Sequence, residues 1–208
     1  MHHPADSYIH QARADHTLYA HRLATARRIL VLGSPGSGKS VFATQLARLT
    51  RLPVVALDDL YWEANWQRPE PAVFAGRFFG ELSRSAWIME GNYHHTYLDE
   101  RLRQADLIIF LDVSTITALW GVVMRSLKRY TGDRSTLPVQ VAAGAQYRPR
   151  WELGPRFLWL VLSFKLKIRP LMLATFRAAD APVVMLTSRR EMRSLLMTLD
   201  MTRSKQEA

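Results

Sequence analysis

Gly33-Ser34-Pro35-Gly36-Ser37-Gly38-Lys39-Ser40 matches the pattern G-x-x-x-x-G-K-[ST] in full. It follows a short apolar run, Arg28-Ile29-Leu30-Val31-Leu32, and opens a segment, Lys39 to Thr50, whose Phe42, Leu46 and Leu49 recur at helical spacing. The pattern needs that strand–loop–helix context. Glycines let the backbone curl so that its N–H groups face inward, and the helix N-terminus adds partial positive charge, so the stretch is suited to holding phosphate. Lys39 is placed to reach the β- and γ-phosphates of a nucleotide, and the Ser40 hydroxyl to ligate a bridging Mg²⁺. The candidate nucleotide-binding residues run from Gly33 through Val41.

Working outward, strands and helices alternate. Further β-rich runs are Pro53 to Leu57, Trp87 to Met89, Leu107 to Leu111 and Pro182 to Leu186. Helical periodicity covers Glu70 to Ser85 and Thr115 to Tyr130, the latter with Ile116, Trp120, Val123 and Leu127 on one stripe. Arg156 to Ala179 reads as a helix bent at Pro170, and residues 189–200 as the last helix. Five buried strands spaced by helices predict an α/β fold with a five-stranded parallel sheet and helices on both faces. Residues 1–26, which hold five of the seven histidines, read as a loosely packed N-terminal extension; 27–200 as the domain, with a mobile segment at about 131–152; and 201–208 as a tail.

Carboxylates follow the strand ends, where ligands of parallel sheets bind. Asp58 and Asp59 follow the second strand and could accept a proton from a substrate hydroxyl. Glu90 ends the third strand and Asp112 the fourth; either could hold the water shell of Mg²⁺, and pattern alone favours Asp112. Tyr61, Trp62 and Trp66 either stack on a ligand ring or build a small core over the crevice.

The net charge of +10 is regional. Residues 1–119 balance at 12 basic and 12 acidic side chains, whereas 120–180 carry 11 and 3. Such an excess points to polyanions: nucleotide phosphates, nucleic acid or a membrane surface. The absence of cysteine excludes disulfides, thiolate metal sites and cysteine nucleophiles. No apolar stretch is long and uncharged enough to span a bilayer, and the N-terminus lacks the pattern of a secretory signal, so a cytoplasmic location is expected.

The ordered set Gly33–Ser40, Leu57-Asp58-Asp59-Leu60-Tyr61-Trp62, Trp87-Ile88-Met89-Glu90-Gly91-Asn92-Tyr93 and Ile108-Ile109-Phe110-Leu111-Asp112 resembles the P-loop kinases of the adenylate-kinase type, closest to the group called DNA topology modulation proteins. The resemblance implies a three-layer P-loop NTPase fold with a small lid at about 131–152, ATP and Mg²⁺ as cofactors, and transfer of the γ-phosphoryl group to a small acceptor such as a nucleoside, nucleotide or sugar-like molecule. It moves the magnesium role from Asp112 to Glu90, beside Ser40. It gives Asp58 and Asp59 the place of a substrate-binding aspartate. With Lys39, it makes Arg125, Arg129 and Arg134, in and just before the lid, candidates for stabilising the transferring phosphoryl group. The competing expectation is a nucleic-acid-associated NTPase, from the group name and from Trp151, Phe157 and Trp159 lying among Arg148, Arg150 and Arg156. A third is peripheral membrane contact through 156–170, apolar with basic ends.

Overall fold

The computed structural model describes residues 9–11, 16–93, 95–144 and 154–207. Strands β1 (Ile9–Gln11), β2 (Arg28–Gly33), β3 (Val54–Ala56), β4 (Trp87–Glu90), β5 (Leu107–Leu111) and β6 (Val183–Leu186) pair in the order β1-β6-β5-β2-β4-β3. Every pairing is parallel. The five expected strands are all present, and the three-residue β1 adds an outer edge beside β6.

Alternation decides which side chain goes to which face. On one face Ile29, Val31, Ile88, Ile109 and Val184 join a core with α1 (His16–Thr25), α2 (Lys39–Thr50) and α10 (Arg189–Glu207). On the other, Leu30, Leu32, Met89, Phe110 and Met185 pack with α4 (Pro71–Leu82), α5 (Leu98–Gln104) and α9 (Arg169–Arg177). The layers are helix, sheet, helix. Tyr19, Ala20 and Leu23 of α1 are buried in the first core, so the N-terminal extension is packed down on the domain there. Likewise α10 continues through Glu207, so the expected tail prolongs the last helix.

Two helices differ instructively from expectation. In α6 (Thr115–Tyr130) the large stripe does not face the core: Ile116 is 80% exposed and Trp120 58%. The buried face is Ala118, Val122, Ser126 and Arg129. Small residues are needed there because α6 lies backbone to backbone against Gly36; a Cβ on Gly121 would strike the Gly36 carbonyl oxygen. The helix expected over 156–179 is divided into α8 (Pro155–Ser163), a π-helical turn (Phe164–Ile168) and α9. Its break is the widened turn, with Pro170 seated in the first turn of α9 where its missing N–H is harmless.

Strand order reverses about β2: the chain runs first to β3 and β4 on one flank, then to β5 and β6 on the other. The loop after β2 therefore sits at the switch point, at the carboxyl edge of the sheet. Short α3 (Leu57–Tyr61) follows β3 directly and is hydrogen-bonded to α7 (Val139–Ala143). The remaining lid positions, 145–152, lie outside the described residues, as do His94, Arg148, Arg150 and Trp151.

Candidate active site

The loop between β2 and α2 is built to receive an anion. Gly36 has φ +77° and Gly38 φ +96°, a region costly for any other residue. A Cβ at Gly38 would meet nothing within 4 Å, so the loop is open there. The hydroxyls of Ser34 and Ser37 are buried with no hydrogen-bond partner. Lys39 Nζ donates to the carbonyl oxygens of Gly33 and Ser34, each at 3.0 Å. Burial pushes the Lys39 pKa down, and the charge of Glu90 pulls it back up. Unspent hydroxyls and a half-buried ammonium at the head of a 12-residue helix fit nucleotide phosphates.

Glu90 meets this loop directly. Its Oε1 accepts a 2.8 Å hydrogen bond from Ser40 Oγ. Register explains the meeting: Glu90 ends β4 opposite Val31 of β2, two residues before the loop begins. Burial raises the Glu90 pKa, opposed by Lys39 and by the bond from Ser40. Among the described residues no cluster of three or more histidine or acidic side chains could hold a metal. A hydroxyl and one carboxylate suit Mg²⁺, which keeps waters and takes phosphate oxygens for the rest of its shell. Asp112 is placed otherwise: its carboxylate accepts from Arg169 Nε at 2.9 Å and lies 3.6 Å from Lys165 Nζ.

A cavity of about 580 Å³ opens from the loop and is lined by Pro35, Lys39, Ser40, Asp58, Glu90, Arg125 and Arg129 among others. The two aspartates part company here. Asp58 is on the wall, and its Oδ1 accepts from the Tyr93 hydroxyl at 2.5 Å. Burial, with the Asp58 charge, raises the Tyr93 pKa and keeps that donor protonated. Asp59 is not on the wall; its Oδ1 accepts from the backbone N–H of Val139 at 2.8 Å, tying α3 to the first residue of α7. Burial is the main cause of its raised pKa.

The arginines also differ. Arg125 faces the cavity, where burial lowers its pKa against the charges of Asp58 and Glu90, and its guanidinium sits 5.9 Å from the Phe157 ring centroid. Arg129 lies on the wall too, but gives Nε to Thr136 Oγ1 at 2.8 Å and a second donor to the Thr136 carbonyl. Arg134 is exposed, away from the wall, and donates to the Ala142 carbonyl at 3.1 Å. Val41 is 64% exposed and turns outward. Of the aromatic cluster, Tyr61 packs edge-on to Phe74 in the core, while Trp62 and Trp66 line the cavity.

Arg101 is the residue that sequence reasoning missed. It is fully buried on α5, with burial driving its pKa down to about 10. Its guanidinium donates to the carbonyls of Gly91 (2.8 Å), Asn92 (2.7 Å) and Tyr93 (3.1 Å). Asn92 Oδ1 in turn accepts from Gly33 N–H at 3.0 Å. Arg101 thereby fixes the segment that carries both the Tyr93 hydroxyl and the clasp on the phosphate loop. Its one signal was spacing, since it shares a helical stripe with Leu98 and Leu102.

Compared with solved structures, the chain is similar to the shikimate kinase of Acinetobacter baumannii in complex with shikimate (TM-score 0.55, 16% identity, covering 89% of this chain and 98% of that one). The chain has the P-loop kinase fold. The shikimate kinase of Bacteroides thetaiotaomicron is a further neighbour, at TM-score 0.46 and 15% identity, covering 86% of this chain and 99% of that one. No protein-family model and no curated protein sequence matches the chain. No helix among the described residues is long and apolar enough to cross a membrane.

Proposed function

We propose that the protein is a Mg²⁺·ATP-dependent phosphotransferase acting on the hydroxyl group of a small acceptor. The observation that carries this reading is the 2.8 Å contact of Ser40 with Glu90 beside Lys39, on the wall of a cavity that also holds Asp58 and Arg125. Bound at Ser40 and the Glu90 water shell, Mg²⁺ would neutralise charge on the β- and γ-phosphates. Lys39 then leaves the loop carbonyls and pairs with the same oxygens. Asp58, oriented by Tyr93, takes the acceptor's proton as its oxygen bonds to the γ-phosphorus and the bridging oxygen departs with ADP. Arg125 meets the charge that develops on the moving phosphoryl group. Arg129 holds the Thr136 segment over the cavity, and Asp59 holds α7; both are positioning roles. Arg134 serves the lid and not the chemistry.

Within the P-loop kinase fold, the order of the sequence motifs supports the adenylate-kinase type and the DNA topology modulation group, and a cytoplasmic location accords with a nucleotide substrate. The nucleic-acid reading is not favoured: of the surplus cations it would use, Lys165 and Arg169 are engaged with Asp112. The test is transfer of label from γ-³²P-ATP to nucleosides, nucleoside monophosphates, sugars and simple alcohols. Label found as a phosphate ester on any acceptor hydroxyl supports the reading; label on the phosphate of a monophosphate, or free phosphate alone, rejects it.

A further inference from the structure

Much of the cavity wall is apolar: Trp62, Trp66, Phe157, Leu160, Phe164 and Ile168 line it, with the Arg125 guanidinium 5.9 Å from the Phe157 ring centroid. The last four come from α8 and the π-helical turn, a stretch that also holds the cations Arg156, Lys165 and Lys167. None of those cations lines the cavity. Lys165 pairs with Asp112, as does Arg169 just beyond, and Lys167 lies 5.4 Å from the Trp159 ring centroid. The widened turn matters here: it lets Phe164 and Ile168 stay buried while Lys165 and Lys167 point elsewhere. Arg129, whose guanidinium lies 6.0 Å from the Trp66 ring centroid, has two of its donor groups bound to Thr136.

We infer, building on the phosphotransferase reading, that the acceptor is an uncharged alcohol carried on an apolar ring or similar flat body, and not a phosphorylated or polyhydroxylated compound. Three physical reasons converge. A phosphate or carboxylate placed along the apolar wall would surrender its water to aromatic and aliphatic carbon. Along that wall a polyol would bury hydroxyls against carbon, the six side chains offering no polar group but the two indole N–H donors. An apolar ring instead gains contact with the indoles of Trp62 and Trp66 and with Phe157, and needs one hydroxyl within reach of Asp58.

The experiment is calorimetric titration of the whole protein with its phosphate loop filled by β,γ-methylene-ATP and Mg²⁺, so that no probe binds there. The probes are 2-naphthalenemethanol, its phosphate monoester and glucose. The alcohol is expected to bind at least tenfold more tightly than either other probe. Leu160→Lys, which adds a cation to the wall, is expected to shift the alcohol-to-ester ratio at least tenfold toward the ester. Equal or tighter binding of the ester or of glucose, or no binding of the alcohol, overturns the inference. Labelled transfer to glucose or to a hydroxyl of a phosphorylated acceptor in preference to alcohols overturns it while upholding the phosphotransferase. Intact binding preference with only free phosphate released from ATP counts against the transferase reading alone.

Discussion

Asp59 and Val139 are joined by a 2.8 Å hydrogen bond from the Val139 backbone N–H to Asp59 Oδ1, across 80 residues of chain. The adjacent Asp58 instead faces the cavity and is held by Tyr93. Two neighbouring carboxylates thus have separable tasks. Asp58→Asn is expected to lower kcat by about a hundredfold or more, the scale of a lost general base, with ATP affinity unchanged by titration. Asp59→Asn retains an acceptor for Val139 and is expected to keep most of the activity.

The same residue gives a pH prediction. The folded Asp59 pKa is raised above its unfolded value, chiefly by burial. The folded state therefore binds this proton more tightly, and the favourable contribution, complete below the ordinary carboxylate pKa, is lost as pH rises through the raised one. Asp59→Asn should equal or exceed the parent in thermal stability at pH 7. That difference should shrink on acidification below the ordinary carboxylate range. A variant that loses stability at pH 7 would show that the bond from the Val139 N–H to the charged Asp59 carboxylate outweighs the burial cost.

Lys39→Ala is expected to abolish detectable ATP binding by calorimetry while leaving the fold intact in circular dichroism, because the lysine's protein partners are two loop carbonyls that water can serve.

Arg101→Met would leave the carbonyls of Gly91, Asn92 and Tyr93 without their donor. At roughly 1–3 kcal/mol for an unsatisfied buried group, the loss should be about 3 kcal/mol or more in urea unfolding. A change near zero would mean that those carbonyls find other partners.

Gly36→Ala and Gly38→Ala both force a side chain into left-handed backbone, yet they should differ. At Gly36 the new methyl also drives into the Ala118 carbonyl and Val122. At Gly38 it meets open space, leaving about 1 kcal/mol of backbone strain. Thermal melts should rank Gly36→Ala well below Gly38→Ala, whereas ATP titration should find both impaired.

The strands were legible because alternate residues of one apolar run feed two cores, so Leu30 and Val31 alike must be hydrophobic. The phosphate loop was legible because its glycines and its lysine answer local demands. The buried face of α6 was not: hydrophobic size points to Ile116 and Trp120, but contact with Gly36 selects smallness, at Ala118 and Gly121. The resemblance gave Glu90 a magnesium role, but its hydrogen bond with Ser40 depends on the register of β4 on β2, which sets Glu90 opposite Val31. The split between Asp58 and Asp59 depends on where α7 stands, which adjacent letters cannot encode. Neither could Arg101 be separated in advance from its solvated neighbour Arg103, 69% exposed, on the same short helix.

The backbone seam between Gly36 and α6 has a mechanical corollary. Because main chain abuts main chain there, the phosphate loop and the stretch of α6 around Ala118 and Gly121 pack as one rigid piece. Arg125, one turn beyond Gly121, rides on that piece. Its distance from the phosphate loop is therefore set at folding, like a gauge block machined with its anvil.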